Sequence, residues 1–117
     1  MICIIAGSRN ATKEQVYQAI SDSGFAHEIT KVFSGCADGA DKFGEMWARE
    51  NGRELSLFPA PWIKYGKAAG PMRNSMMVNS GADALIAVWV NQSKGTADVI
   101  GKAKAKGLRV FVAEVAA

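Results

Sequence analysis

Four short segments of this 117-residue chain concentrate the residue types that bind anions. Gly7-Ser8-Arg9 offers close backbone approach, a hydroxyl, and a planar cation suited to phosphate. Ser34-Gly35-Cys36-Ala37-Asp38-Gly39-Ala40-Asp41 has little side-chain bulk and many amides open to a ligand. Asp38 or Asp41 could cap the helix that follows or accept hydrogen bonds from ribose hydroxyls. The stretch from Gly66 through Lys67, Gly70 and Pro71 to Arg73 and Asn74 brings two cations and a directional amide, and Trp62 and Tyr65 precede it as candidates to stack on a base. Asn91-Gln92-Ser93-Lys94-Gly95-Thr96 places Gly95 and the Thr96 hydroxyl at a helix start, to cap it or to meet phosphate. No Gly-Lys-Ser/Thr follows the second segment, so it is not a Walker loop, and it is not the dinucleotide fingerprint either.

For these segments to act together, one sheet must bring them to one edge. Short β-branched runs alternate with helical stretches, the pattern of an α/β fold with a parallel sheet. Strands are predicted over 2–6, 29–34, 54–58, 84–90 and 108–115, and helices over 11–23, 39–51, 72–79 and 96–106. Val16, Ala19 and Ile20 should face the core from the first helix, and Phe43, Met46 and Trp47 from the second. Residues 59–71 hold all three prolines and two glycines and are predicted not to form a continuous helix. The expected fold is a three-layer, Rossmann-like single domain over 1–117 with a mainly parallel five-stranded sheet. Ligands of such sheets bind where the carboxyl ends of strands meet helix N-termini, and there the four segments fall.

Other chemistry is poorly served. His27 is the only histidine, and no second histidine or nearby cysteine accompanies it, so no metal site is expected. No Gly-x-Ser-x-Gly elbow supports a serine triad. Asp38, Asp41 and Glu45 read as a cap and solvated acids, and nothing further in the sequence supports a magnesium ion bridging them to a phosphate. Lys102, Lys104 and Lys106 with Arg109 read as a solvated basic face. Met72, Met76 and Met77 read as filler for a core or for a homodimer interface.

Composition narrows the class. A net charge of +3 suits an anionic small molecule but is too mild, without a basic stripe interleaved with aromatics, to make nucleic acid the main partner. No 18-residue apolar run is present, no secretory leader is expected, and Cys3 and Cys36 lack the CxxC spacing of a zinc or redox motif. The expectation is a reduced, cytoplasmic protein without a membrane partner.

Gly7-Ser8-Arg9, the Ser-Gly-Cys-Ala-Asp-Gly-Ala-Asp turn at 34–41, the Gly-Lys-Ala-Ala-Gly-Pro-Met-Arg-Asn stretch at 66–74 and Gly95-Thr96 resemble, in this order, the motifs of the SLOG superfamily and its YspA-type, YpsA-related branch. Gly95-Thr96 also resembles the helix start of Lonely Guy phosphoribohydrolases and DprA-like proteins. The resemblance implies a domain binding a nucleotide or nucleotide-derived ligand, as a sensor or sequestering module, in some relatives a signal of phage and bacterial conflict. It implies ligand-binding roles for Gly7, Ser8, Arg9, Ser34, Gly35, Asp38, Gly39, Asp41, Arg73, Asn74, Gly95 and Thr96, beside which Lys67 is a further candidate from its charge. The rival reading is a Lonely Guy-type hydrolase of nucleotide N-glycosidic bonds, with Arg73, Asp98 or Asp41 as catalytic candidates. Those enzymes carry a glutamate where this chain has Val99, and Asp98 falls one residue early. A weaker third reading, by analogy with DprA, is a DNA-binding accessory. Arg73→Ala is expected to lose the ligand and keep the fold.

Overall fold

The apolar run Ile2–Gly7 forms β1, the middle strand of a five-stranded sheet, because a strand apolar on both sides is stable only when both faces are covered. In this computed structural model, which describes residues 1–116, β2 (Lys31–Ser34), β3 (Glu54–Leu57), β4 (Ala84–Val90) and β5 (Arg109–Val115) complete the order β3-β2-β1-β4-β5. Every pairing is parallel. Alternate residues of β1 feed two cores. Cys3 and Ile5 pack with Val16, Ala19 and Ile20 of α1 (Lys13–Ser23) and with Trp47 and Ala48 of α2 (Ala40–Glu50). Ile4 and Ala6 pack with Met77 and Val78 of α4 (Ala69–Asn79) and with Val99, Ile100 and Ala103 of α5 (Lys94–Lys106). A short helix α3 (Trp62–Tyr65) and a 3-10 turn (Gly66–Ala68) lead into α4.

The order of strands matters for the site. From β1 the chain steps outward to β2 and β3, then crosses to the other side of β1 to form β4 and β5. The direction of winding therefore reverses between β1 and β4, and the carboxyl ends of those two strands border the crevice in which such sheets bind ligands.

Several sequence expectations need correction, among them the starts of α5, at Lys94 rather than 96, and of β2, at Lys31 rather than 29. The first helix starts at Lys13, not at 11, because Thr12 and Gln15 close a capping box in which each side chain serves the other's backbone amide. Residues 69–71 are helical despite Gly70 and Pro71, since Pro71 lies in the first turn of α4, where its missing N–H has no intrahelical partner to lose. Met46 is 36% exposed and does not join Trp47 in the core. The face of α2 that meets the sheet is Ala40, Gly44 and Ala48, one small residue per turn. A Cβ on Gly44 would collide with the side chain of Ile5, so close helix–strand approach selects small residues over the large apolar stripe. Met72 and Met76 are likewise exposed, and of the three methionines on α4 only Met77 is core. No helix among the described residues is long and apolar enough to cross a membrane.

Candidate functional site

The first and fourth segments meet across the switch point. The Ser8 amide donates to the Val88 carbonyl at 2.9 Å, and the Val90 amide donates to Ser8 Oγ at 2.9 Å, so the ends of β1 and β4 are tied together. Ser8 Oγ lies 2.6 Å from Ser93 Oγ and 3.5 Å from Thr96 Oγ1, and the Ser93 hydroxyl donates to Thr96 Oγ1 at 3.1 Å. Ser93 is the N-cap residue of α5, yet its side chain makes no cap bond to the helix amides. The first turn of α5 thus keeps its positive end free of a side-chain cap. Position 93 is fixed from behind by the Trp89 indole, which donates to the Ser93 carbonyl at 2.8 Å, and by a turn in which Asn91 and Gln92 both adopt positive φ.

The second segment is folded onto the first. Gly39, at φ 77° and ψ −124°, is the N-cap of α2, and a Cβ there would overlap the Arg9 carbonyl oxygen. The Ala40 amide donates to the Ser8 carbonyl at 3.3 Å. Neither Asp38 nor Asp41 caps α2, since no side-chain cap bond exists at this terminus.

The third segment is helical and carries the central cation. The Arg73 guanidinium donates from Nη1 to the Gly35 carbonyl and from Nε to Asn74 Oδ1 at 2.8 Å, and Nη1 lies 3.9 Å from Asp41 Oδ2. Asn74 Nδ2 donates to Asp98 Oδ2 at 2.9 Å, and Lys102 Nζ reaches the same oxygen at 2.8 Å, which joins α4 to α5. Arg73 is therefore an internal clasp as well as a cation on the cavity wall. Its removal should cost stability as well as ligand.

Burial pushes the Asp41 carboxyl up from 3.8 to about 6, against the opposing pull of the Ala37 amide and the Arg73 charge. A folded-state pKa above the unfolded one gives stability that is fully present below about pH 4 and is lost as pH rises through about 6. This is the reverse of an ordinary salt-bridged carboxylate. Urea unfolding across that window is expected to show wild type losing this contribution on going to neutral pH and Asp41→Asn lacking the loss. An identical pH profile for both proteins would refute the assignment.

These elements enclose a cavity of about 570 Å³ at the carboxyl edge of the sheet. Of the residues proposed from sequence, Gly7, Ser8, Arg9, Asp41, Lys67, Arg73, Asn74, Gly95 and Thr96 line it, as does Asp98. Gly35 and Asp38 line an adjoining cavity of about 310 Å³. Ser34 and Gly39 line neither. Ser34 is buried beneath the turn, where its hydroxyl donates to Glu45 Oε2 at 2.6 Å, and Gly39 serves the packing just described. Asp38, Asp41 and Glu45 do not gather into a metal-holding group among the described residues. Asp41 turns to Arg73 and Glu45 to Ser34, while Asp38 is exposed. Sequence reasoning missed Ser93, Lys94 and Asn10 as cavity residues. Ser93 carried a legible signal, since a serine directly before a helical run is an N-cap.

The charge distribution of the cavity favours an anion. Arg9, Lys67 and Lys94 have no hydrogen-bond or ion-pair partner among the described residues, and all three face it. Met77, Val99 and Trp62 supply an apolar wall beside these groups. Cations, hydroxyls and an apolar surface can together hold a phosphate ester with a ring attached.

The sequence is 37% identical over 85 residues to the Gene 61 protein of Mycobacterium phage D29, an alignment covering 68% of this chain and 68% of that protein. No protein-family model matches the chain, and no solved structure matches it.

Proposed function

The chain belongs to the family of the Gene 61 protein of Mycobacterium phage D29, a name that carries no chemistry, and from the site itself we propose that it binds a nucleotide or nucleotide-derived, phosphate-bearing ligand as a sensor or sequestering module. One observation carries the reading. Ser8, Ser93 and Thr96, whose hydroxyls hydrogen-bond one another, the start of α5 without a side-chain cap, and Arg9, whose guanidinium has no partner among the described residues, all line one cavity at the switch point of a parallel sheet. The phosphate sits against the Lys94–Thr96 amides and Arg9. The nucleoside lies along Trp62, Met77 and Val99. The resemblance to SLOG proteins supports the same ligand class.

A second reading, hydrolysis of the N-glycosidic bond, draws on Asp98, whose carboxylate lines the cavity. Its Oδ2 already accepts hydrogen bonds from Asn74 and Lys102, so that oxygen is engaged within the protein. The adjacent position is the buried, apolar Val99. Binding without turnover is thus the better supported reading.

Calorimetry with a panel of nucleoside mono- and diphosphates, followed by analysis of each mixture for free base and inorganic phosphate, tests both. The expected result is saturable binding to at least one phosphate-bearing ligand with nothing released. Released base or phosphate would replace the binding module with the hydrolase, and absence of binding across the panel would end the nucleotide reading.

A further inference from the structure

The two cavities share a wall. Arg9, Ala37, Trp62 and Arg73 line both, so the two cavities lie side by side against the same guanidinium groups and indole. Together they fall within the roughly 300–1,000 Å³ typical of small-molecule sites.

The chemistry of the two lobes differs. The larger holds the hydroxyl cluster, the start of α5, and Lys67 and Lys94, which have no partner among the described residues. Its two carboxylates are paired, Asp41 with Arg73 and Asp98 with Asn74 and Lys102. The smaller is walled by residues 35–38 and by Pro59 and Ala60, and its one acidic side chain, Asp38, has an exposed carboxylate with no partner among the described residues. A carboxylate there repels a second anion and accepts hydrogen bonds from a neutral donor such as a vicinal diol. At the junction, Arg73 is held by Gly35, Asp41 and Asn74, whereas the Arg9 guanidinium has no partner among the described residues.

Resting on the nucleotide reading above, we infer that the ligand has two parts joined through its phosphate: a nucleoside in the larger lobe, a diphosphate or diester running from the start of α5 to Arg9 at the junction, and a hydroxyl-bearing sugar in the smaller lobe against Asp38. A simple nucleoside monophosphate fills only the first lobe. The second lobe is what selects a sugar-capped ligand, and Asp38 is its specificity-determining residue.

Cys36 reports on occupancy, because it is half-buried on the wall of the smaller cavity and absent from the larger, while Cys3 is fully buried in the core. ADP-ribose and UDP-glucose are compared with AMP, ADP, UMP and UDP by calorimetry, and the rate of Cys36 alkylation by N-ethylmaleimide is followed by peptide mass spectrometry at matched saturation. At least one sugar-capped ligand is expected to bind about tenfold more tightly than its parent monophosphate, as hydrogen bonds to a charged acceptor allow. It should also slow Cys36 alkylation where the monophosphate does not, and Asp38→Ala should erase its advantage. Equal affinities, or tighter binding that leaves Cys36 fully reactive, would overturn the two-lobed ligand while the nucleotide reading stood. Failure of every compound to bind would overturn both.

Discussion

Arg73→Ala is expected to lower the unfolding free energy by about 3 kcal/mol at pH 7 and to abolish ligand binding as well. Arg73 is 12% exposed at its side chain, and Asp41, which it faces, is 5% exposed. Truncation removes the donor to the Gly35 carbonyl and leaves a buried carboxylate with the Ala37 amide as its remaining close donor. In a domain of this size the melting temperature should fall by roughly 10 °C. The direction of the pH effect separates this mechanism from simple loss of packing. Protonating Asp41 relieves the uncompensated charge, so the penalty should shrink near pH 5 relative to pH 7, below the Asp41 value of about 6. Arg73→Lys should recover part of the stability, since it restores a point charge without the fork that reaches both Gly35 and Asn74. A variant as stable as wild type at neutral pH would show that the clasp contributes nothing.

Gly39→Ala is expected to be about as damaging, near 3 kcal/mol, for a different reason. The backbone there lies in a region open to glycine and costly for other residues, and the added methyl would meet the Arg9 carbonyl. The first and second turns must then part, and the cavity loses the placement of Arg9 on which the proposed anion binding depends. Gly24 provides the control. It also has positive φ, at 74°, but a Cβ there meets nothing within 4 Å, so Gly24→Ala should cost only about 1 kcal/mol and leave binding alone. Chemical denaturation and calorimetry of the two variants side by side check both parts. Equal costs would mean that close approach at Gly39 plays no special part.

Elements set by local rules were legible in the sequence. Gly24 stops α1 as a left-handed cap, the apolar run Ala84–Val90 is the long strand beside β1, and the glycine- and hydroxyl-bearing turns fall at strand ends. What escaped depended on partners far along the chain. Asp41 and Glu45 look like solvated acids on a helix, yet both are buried, because Arg73 and Ser34 meet them from other elements. The small-residue face of α2 lost to the Phe43-Met46-Trp47 stripe because periodicity alone cannot tell which face a strand will approach closely. Proline in residues 59–71 read as a breaker, whereas its place in the first turn of α4 makes it compatible with helix. Ser34 was assigned to the ligand from its motif, although its hydroxyl is directed beneath the turn toward Glu45.

On the proposed function, the turn after β1 and the start of α5 together make one rim that holds the anion. Titrating the 15N-labelled protein with the nucleotide panel, while following backbone amide resonances, puts that rim to the test. Ser8, Arg9, Lys94, Gly95 and Thr96 are expected to shift together and to saturate at one ligand concentration. Saturating shifts confined to the basic residues Lys104, Lys106 and Arg109, with the rim unmoved, would contradict it.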